Sequence, residues 1–216
     1  MLNISIVLYR PDVQQVTELL AELDKVKCLK GIWLMDNSPV QTEVLAQLGG
    51  KVHYVFNNAN LGYGRAHNIA IRESVSENTE FHLVMNADIE VKAEDIDALH
   101  AFMSAHKEVG HLMPRVVYPD GSTQYLAKML PTPLDVFGRR FLPKRLMRRR
   151  NERYELRKLV DAGKPLNVPY LSGCFMFLRT EAVLQAHLFD ERYFMYPEDI
   201  DLMHGSPAME HVLQVK

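Results

Sequence analysis

Cysteine is scarce: only Cys28 and Cys174 occur in 216 residues. They match no metal-ligand spacing, so two unpaired thiols in a reducing cytosol are expected. The nine histidines form neither an HExxH nor a paired-histidine pattern, which argues against a zinc centre. Long apolar runs are missing too, and none approaches the roughly 20 residues needed to cross a bilayer. The start, Met1-Leu2-Asn3-Ile4-Ser5, lacks a basic stretch leading into an apolar one, so no secretory signal is expected. A net charge of only −2 excludes a globally basic nucleic-acid binder. Disorder is excluded by an apolar content of 47% against 24% charged residues. The length suits one well-buried domain, with room for an insertion.

What is present is an alternation of strands and helices. Ile4-Ser5-Ile6-Val7-Leu8-Tyr9 is a β-branched apolar run ended by Arg10-Pro11-Asp12, and Pro11 and Asp12 suit a helix start. Val16, Leu19, Leu20 and Leu23 then recur at helical spacing over 13–26. Further strands are expected at 32–35, 52–56 and 81–85, with helices through Leu45 and over 63–75. This order predicts an α/β chain with a mainly parallel, Rossmann-like sheet and crossover helices over the first 105 or so residues. In such sheets ligands sit at the carboxyl ends of the strands, where Asp36, Asn60 and Asp88 cluster. After Gly110 a hairpin is expected around Pro119-Asp120-Gly121, then a proline- and arginine-rich stretch of poor periodicity over 131–164. Strands at 168–171 and 174–178 and a short helix at 180–186 complete a smaller α+β half. The expected organisation is one domain over 1–202, with a first half (1–110), a second half (111–202) holding a basic insertion at 131–164, and an atypical tail (203–216).

Several stations have residue types suited to chemistry. Asp36, followed by Asn37-Ser38-Pro39, is placed to accept the imide N–H of a pyrimidine or to cap the next helix. In Asn60-Leu61-Gly62-Tyr63-Gly64-Arg65-Ala66-His67-Asn68, two glycines stand where a loop meets a helix. They either let backbone N–H groups approach an anion or simply shape the loop. His67 occupies the third glycine position of a dinucleotide fingerprint and the segment follows the third strand, so a nicotinamide cofactor is not expected. Asp88, in Asn86-Ala87-Asp88, suits a divalent ion bound mainly by phosphate oxygens, or begins a turn. Gly173, in Ser172-Gly173-Cys174, permits either close approach of a ligand or a bend.

The densest station is the segment from Phe189 to Leu202, with four aromatic rings and five carboxylates in 14 positions. Rings need burial, and carboxylates held against apolar walls gain proton affinity and act as bases. Upstream, seven basic residues (Arg139, Arg140, Lys144, Arg145, Arg148, Arg149 and Arg150) interleave with Phe141, Leu142, Leu146 and Met147. Over 139–150 such a stretch suits an anionic membrane or a pyrophosphate-linked lipid, or forms a solvated helix face. The overall acidity disfavours nucleic acid.

In their order these segments resemble the family 2 inverting glycosyltransferases, specifically the bacterial rhamnosyltransferase-like branch. The residues carrying the likeness are Ile6-Val7-Leu8-Tyr9, Asp36-Asn37-Ser38, Asn60-Leu61-Gly62-Tyr63-Gly64 with Asn68, Asn86-Ala87-Asp88, Ser172-Gly173-Cys174 and the segment from Phe189 to Leu202. The resemblance implies a GT-A fold and a nucleotide-sugar donor, dTDP-L-rhamnose or a UDP-sugar. It implies a donor site of Tyr9, Asp12, Asp36, Asn60, Gly62, Gly64, Asn68, Asn86, Asp88 and Gly173, with Mg²⁺ or Mn²⁺ on Asp88. Asp199, paired with Glu198, would be the base that deprotonates a hydroxyl of a glycan or polyprenyl-pyrophosphate-linked acceptor in cell-surface polysaccharide or lipopolysaccharide synthesis. A cytoplasmic location at the inner membrane face follows from the same likeness. Family members continue past the Glu-Asp-x-Asp-Leu segment, whereas residues 203–209 bear no likeness to that continuation. A truncated remnant that binds nucleotide without turnover is therefore the second expectation. A nucleotidyltransferase would need a glycine-rich loop after the first strand, and residues 8–12 contain no glycine.

Overall fold

A computed structural model describes residues 1–130, 132, 143–204 and 210–214. The first half alternates as expected: β1 (Leu2–Leu8), α1 (Val13–Leu23), β2 (Leu29–Asp36), α2 (Glu43–Ala46), β3 (Val52–Phe56), α3 (Tyr63–Ser76), β4 (Phe81–Asn86) and α4 (Ala93–Ala105). The second half holds β5 (Val109–Pro114), β6 (Val116–Val117), β7 (Thr123–Gln124), β8 (Ala127–Lys128), α5 (Lys144–Tyr154) and α6 (Arg157–Asp161). It ends with β9 (Leu166–Asn167), β10 (Tyr170–Leu171), β11 (Phe175–Arg179), α7 (Thr180–Gln185), α8 (Glu198–His204) and β12 (Glu210–Gln214).

One eight-stranded sheet runs in the order β3-β2-β1-β4-β11-β5-β12-β9. Its first four strands are parallel, whereas β11 lies antiparallel to both β4 and β5. Parallel strands joined by crossover helices are covered on both faces, so β1 is buried almost throughout. Leu2, Ile4, Ile6 and Leu8 enter the main apolar core. The two-residue period turns Asn3 and Ser5 to the opposite face, where α3 supplies polar partners. Ser5 Oγ lies 2.7 Å from His67 Nδ1 and 2.8 Å from His82 Nε2, and Ser74 Oγ lies 2.7 Å from His82 Nδ1. Asn3 Nδ2 donates to Ser74 Oγ at 3.0 Å. These contacts tie α3 to β1 and β4, and so fix the helix that faces the site.

β11 is anchored at its far end by Arg179, which is buried and donates to the carbonyls of Met103, His106 and Val109. Two of those carbonyls belong to the end of α4, where free C=O groups favour a cation. The hairpin expected at Pro119-Asp120-Gly121 is present but small, pairing β6 with β7, while His111 belongs to the central sheet. Two departures from the sequence reading stand out. Part of the stretch of poor periodicity forms α5 and α6, because Arg, Lys, Leu and Met are good helix formers even without an apolar stripe. The tail contributes β12, parallel to β5 and antiparallel to β9. Arg139, Arg140, Phe141 and Leu142 lie outside the described residues.

Burial holds the imidazoles of His67 and His82 below their ordinary pKa, His82 at about 3. The unfolded chain therefore takes up these protons first, near pH 6.5. Stability present above that pH is lost as the pH falls towards the folded values, at about 1.4 kcal/mol per pH unit for each histidine. Thermal unfolding at pH 5 should occur several degrees below that at pH 7.5; an unchanged midpoint would contradict this burial of neutral histidines.

Candidate active site

The carboxyl ends of β1, β2 and β4 lie side by side, because these strands pair in parallel and in register. Tyr9 follows β1 and is exposed. Asp12, expected near the same pocket, caps α1 and accepts from the N–H groups of Gln14 and Gln15. Asp36 ends β2 and is fully buried. Its Oδ1 accepts from Ser38 N, and its Oδ2 accepts from Thr42 Oγ1 and the Tyr54 hydroxyl. Burial alone would raise this carboxyl, but the hydrogen bonds from Ser38, Tyr54 and Thr42 outweigh it and hold the pKa below the ordinary value. Asp36 therefore shapes the loop leading to α2, whose N-cap is Thr42.

Asn37 and Asn60 join the neighbouring loops. Asn37 Nδ2 donates to Asn60 Oδ1 and to the Gly62 carbonyl, and Asn57 Nδ2 donates to Asn37 Oδ1. For the next two glycines the sequence left open an approaching anion or a shaped loop; in the structure both make room for a distant segment. Gly62 has φ +82°, and a Cβ there would lie 2.3 Å from the Phe194 carbonyl oxygen. A Cβ at Gly64 would lie 2.8 Å from Phe189 Cβ. Two N–H groups here are committed, Gly62 N to Asn60 Oδ1 and Tyr63 N to the Phe194 carbonyl. Asn68, also expected at the donor, is fully buried. Its Oδ1 accepts from Phe189 N and its Nδ2 donates to the Phe189 carbonyl. Glu191 closes the dock, paired with Arg72 at 2.6 Å. The acidic-aromatic segment is thus clamped onto the first turns of α3.

The clamp brings α8 over Gly173, which precedes β11. A Cβ at Gly173 would sit 3.2 Å from Asp199 Cβ. With only hydrogen there, Gly173 N donates to Asp199 Oδ2 at 3.0 Å, and the Tyr170 hydroxyl donates to the same oxygen at 2.8 Å. Burial pushes the Tyr170 hydroxyl pKa far up, and the Asp199 charge adds to it. Glu198 is buried beside Asp199, and its Oε2 has no hydrogen-bond partner among the described residues. Burial first, and then the Asp199 charge, raise the Glu198 carboxyl.

Tyr63 is the point on which these groups converge. Its hydroxyl donates to the Gly173 carbonyl at 2.6 Å. Burial raises its pKa most, followed by the nearby Cys174, Glu198, Asp199 and Asp88. Asp88 is exposed at the turn after β4, while the neighbouring Asn86 gives its N–H to the Cys174 carbonyl. No group of three or more His, Cys, Asp or Glu side chains is placed to hold a metal among the described residues. One exposed carboxylate fits an ion that takes most of its ligands from a bound diphosphate and water. Tyr63 and Tyr170 were not singled out from sequence, since nothing local to either marks a partner that lies far along the chain.

A sheet with acidic groups at its carboxyl edge and a paired acid docked opposite is the architecture of a GT-A glycosyltransferase. Residues 34–185 match the pattern of Glycosyl transferase family 2, and the chain belongs to that family. It is 34% identical over 157 residues to an N-acetylglucosaminyl-diphospho-decaprenol L-rhamnosyltransferase of Mycobacterium tuberculosis, covering 67% of this chain and 49% of that one. It is 28% identical over 161 residues to the low-salt glycan biosynthesis hexosyltransferase Agl10 of Haloferax volcanii, covering 71% of this chain and 45% of that one. The chain thus spans about half the length of these relatives. Among solved structures, GalNAc-T7 with UDP, GalNAc and Mn²⁺ superposes with a TM-score of 0.68 at 14% identity, over 99% of this chain and 41% of that one. The S. aureus TarS 1–349 structure gives 0.60 at 16% identity, over 99% and 60%. These likenesses show the fold.

The glycine contacts make a direct prediction. Gly62→Ala places a methyl group on the Phe194 carbonyl at a backbone conformation that L residues rarely adopt, and should cost about 1–3 kcal/mol. Chemical denaturation should show a lower midpoint, with residues 189–199 losing amide protection first. Retention of both would refute the clamp.

Proposed function

We propose that the chain transfers a sugar from a nucleotide donor, dTDP-L-rhamnose or a UDP-sugar, to a glycan or lipid-linked acceptor with inversion. The observation that carries this reading is the run of contacts joining α8 to the carboxyl end of β4: the Gly173 N–H donates to Asp199 Oδ2, the Tyr63 hydroxyl to the Gly173 carbonyl, and the Asn86 N–H to the Cys174 carbonyl. In this reading Tyr9, Asp36 and Asn60 serve the base and ribose end of the donor, and Asp36 Oδ1 keeps one acceptor position beyond Ser38 N. Asn86, Asp88 and Gly173 serve the diphosphate and sugar end, while Gly62, Gly64 and Asn68 hold the segment that covers it. Asp88 would hold Mg²⁺ or Mn²⁺ together with diphosphate oxygens, and a bound divalent ion neutralises the charge that grows on the leaving nucleotide.

Asp199 takes the proton from the acceptor hydroxyl as that oxygen attacks the anomeric carbon opposite the leaving group. Tyr170 and the Gly173 N–H hold Asp199 through Oδ2, and the Ile200 N–H donates to Oδ1, which in this reading keeps its second acceptor position for the acceptor hydroxyl. Burial gives Glu198 a raised proton affinity, so it is the poorer candidate for the base. The exposed arginines of α5 suit a peripheral contact with an anionic membrane at the cytoplasmic face. The M. tuberculosis relative, by its name, acts on a diphospho-lipid, which favours a lipid-linked acceptor for this chain.

Two substitutions test the assignment. Asp199→Asn should lower kcat by about 10²–10⁴ while leaving donor KM within a few fold. Asp88→Ala should abolish the divalent-ion dependence of nucleotide binding, read as loss of the thermal stabilisation that dTDP or UDP gives with Mg²⁺. Unchanged turnover in the first or unchanged ion dependence in the second would remove that residue from the mechanism. Nucleotide binding without turnover by the wild-type chain, across donors and acceptors, would favour the non-catalytic reading.

A further inference from the structure

Lys128 ends β8 and lies directly opposite Tyr170 in the antiparallel pair with β10. Its ammonium sits 5.7 Å from the centroid of the Tyr170 ring. The residue is half-buried, and no carboxylate pairs with it among the described residues. The hydroxyl of the same ring donates to Asp199 Oδ2. A cation that has lost part of its water and has no counter-ion favours an incoming anion. The surrounding flank has the same sign: Met129 N donates to the carbonyl of Tyr154, the last residue of α5. Arg145, Arg149 and Arg153 recur every fourth residue on that helix, share one face and are exposed.

The location says which substrate would bring the anion. The donor groups lie at the ends of β1, β2 and β4, whereas Lys128 belongs to the β8–β10 pair on the other side of Asp199's partner Tyr170. We propose that Lys128 forms an anion subsite for the acceptor, binding a phosphate or diphosphate attached to the sugar whose hydroxyl Asp199 deprotonates. This rests on the proposed role of Asp199. Tyr170 is then a positioning residue that sets the distance between base and subsite. The subsite selects sugars on a phosphate or diphosphate carrier over neutral glycans.

The test is equilibrium binding of geranyl diphosphate to the 216-residue protein, with dTDP and Mg²⁺ saturating so that the donor side is filled. Lys128→Gln should weaken binding about tenfold or more, as expected for a lost charge-assisted contact. Lys128→Arg should restore most of the affinity. Binding to phosphatidylglycerol vesicles, which reads the arginine face of α5, should not respond to Lys128→Gln. The proposal is overturned if wild type does not bind geranyl diphosphate, if Lys128→Gln binds it equally well, or if vesicle binding falls in parallel. Failure of the transferase reading would appear separately, as absence of turnover with this binding pattern intact.

Discussion

The site depends on one docking contact, that of the acidic-aromatic segment on the first turns of α3. Gly62 and Gly64 remove the side chains that would otherwise block it, and Asn68 matches both polar groups of the Phe189 backbone. A buried amide that satisfies an N–H and a C=O at once replaces a stretch of sheet pairing, so the segment is held without being a strand. The acids that follow in sequence, Glu198 and the proposed base Asp199, take their position from that contact.

The dock in turn needs a fixed platform. The serine–histidine contacts beneath α3 serve this purpose, because they join the helix to β1 and β4 with neutral, buried partners. On the other side, Gly173 precedes β11, an antiparallel strand whose far end is pinned by Arg179. The two glycine-bearing turns, at 62–64 and at 173, are therefore mounted on adjacent parts of one sheet. Tyr63 bridges them through the Gly173 carbonyl. The half-buried Tyr63 phenol thus links the turn before α3 to the strand beside which Asp199 is held.

The parallel half of the fold was legible because its strands are short apolar runs and its helices carry apolar residues at period 3.6. The capping role of Asp12 was legible for the same local reason. α5 was legible only as one option, a solvated helix face over 139–150, since its arginines leave no apolar stripe, and β12 was not, since its pairing partners in β5 and β9 are distant in sequence. At the site, the sequence offered the candidate residues but not the contacts that several of them make. The glycines at 62 and 64 look locally like an anion loop, and only a partner some 120 residues away reveals them as docking positions. The Asn68 amide and Phe189 are 121 positions apart. Tyr170 and Asp199, and Lys128 with them, meet only through tertiary pairing, which no local pattern encodes.

The central claim is that the clamp places Asp199 and Glu198 around the same point as Asp88. Paramagnetic broadening by Mn²⁺ bound with dTDP tests it most directly on an isotope-labelled sample. The account predicts strong broadening of the amide signals of Asp88, Cys174, Glu198 and Asp199 together, with those of α5 little affected. Broadening at Asp88 that spares Glu198 and Asp199, or that centres elsewhere, would contradict it.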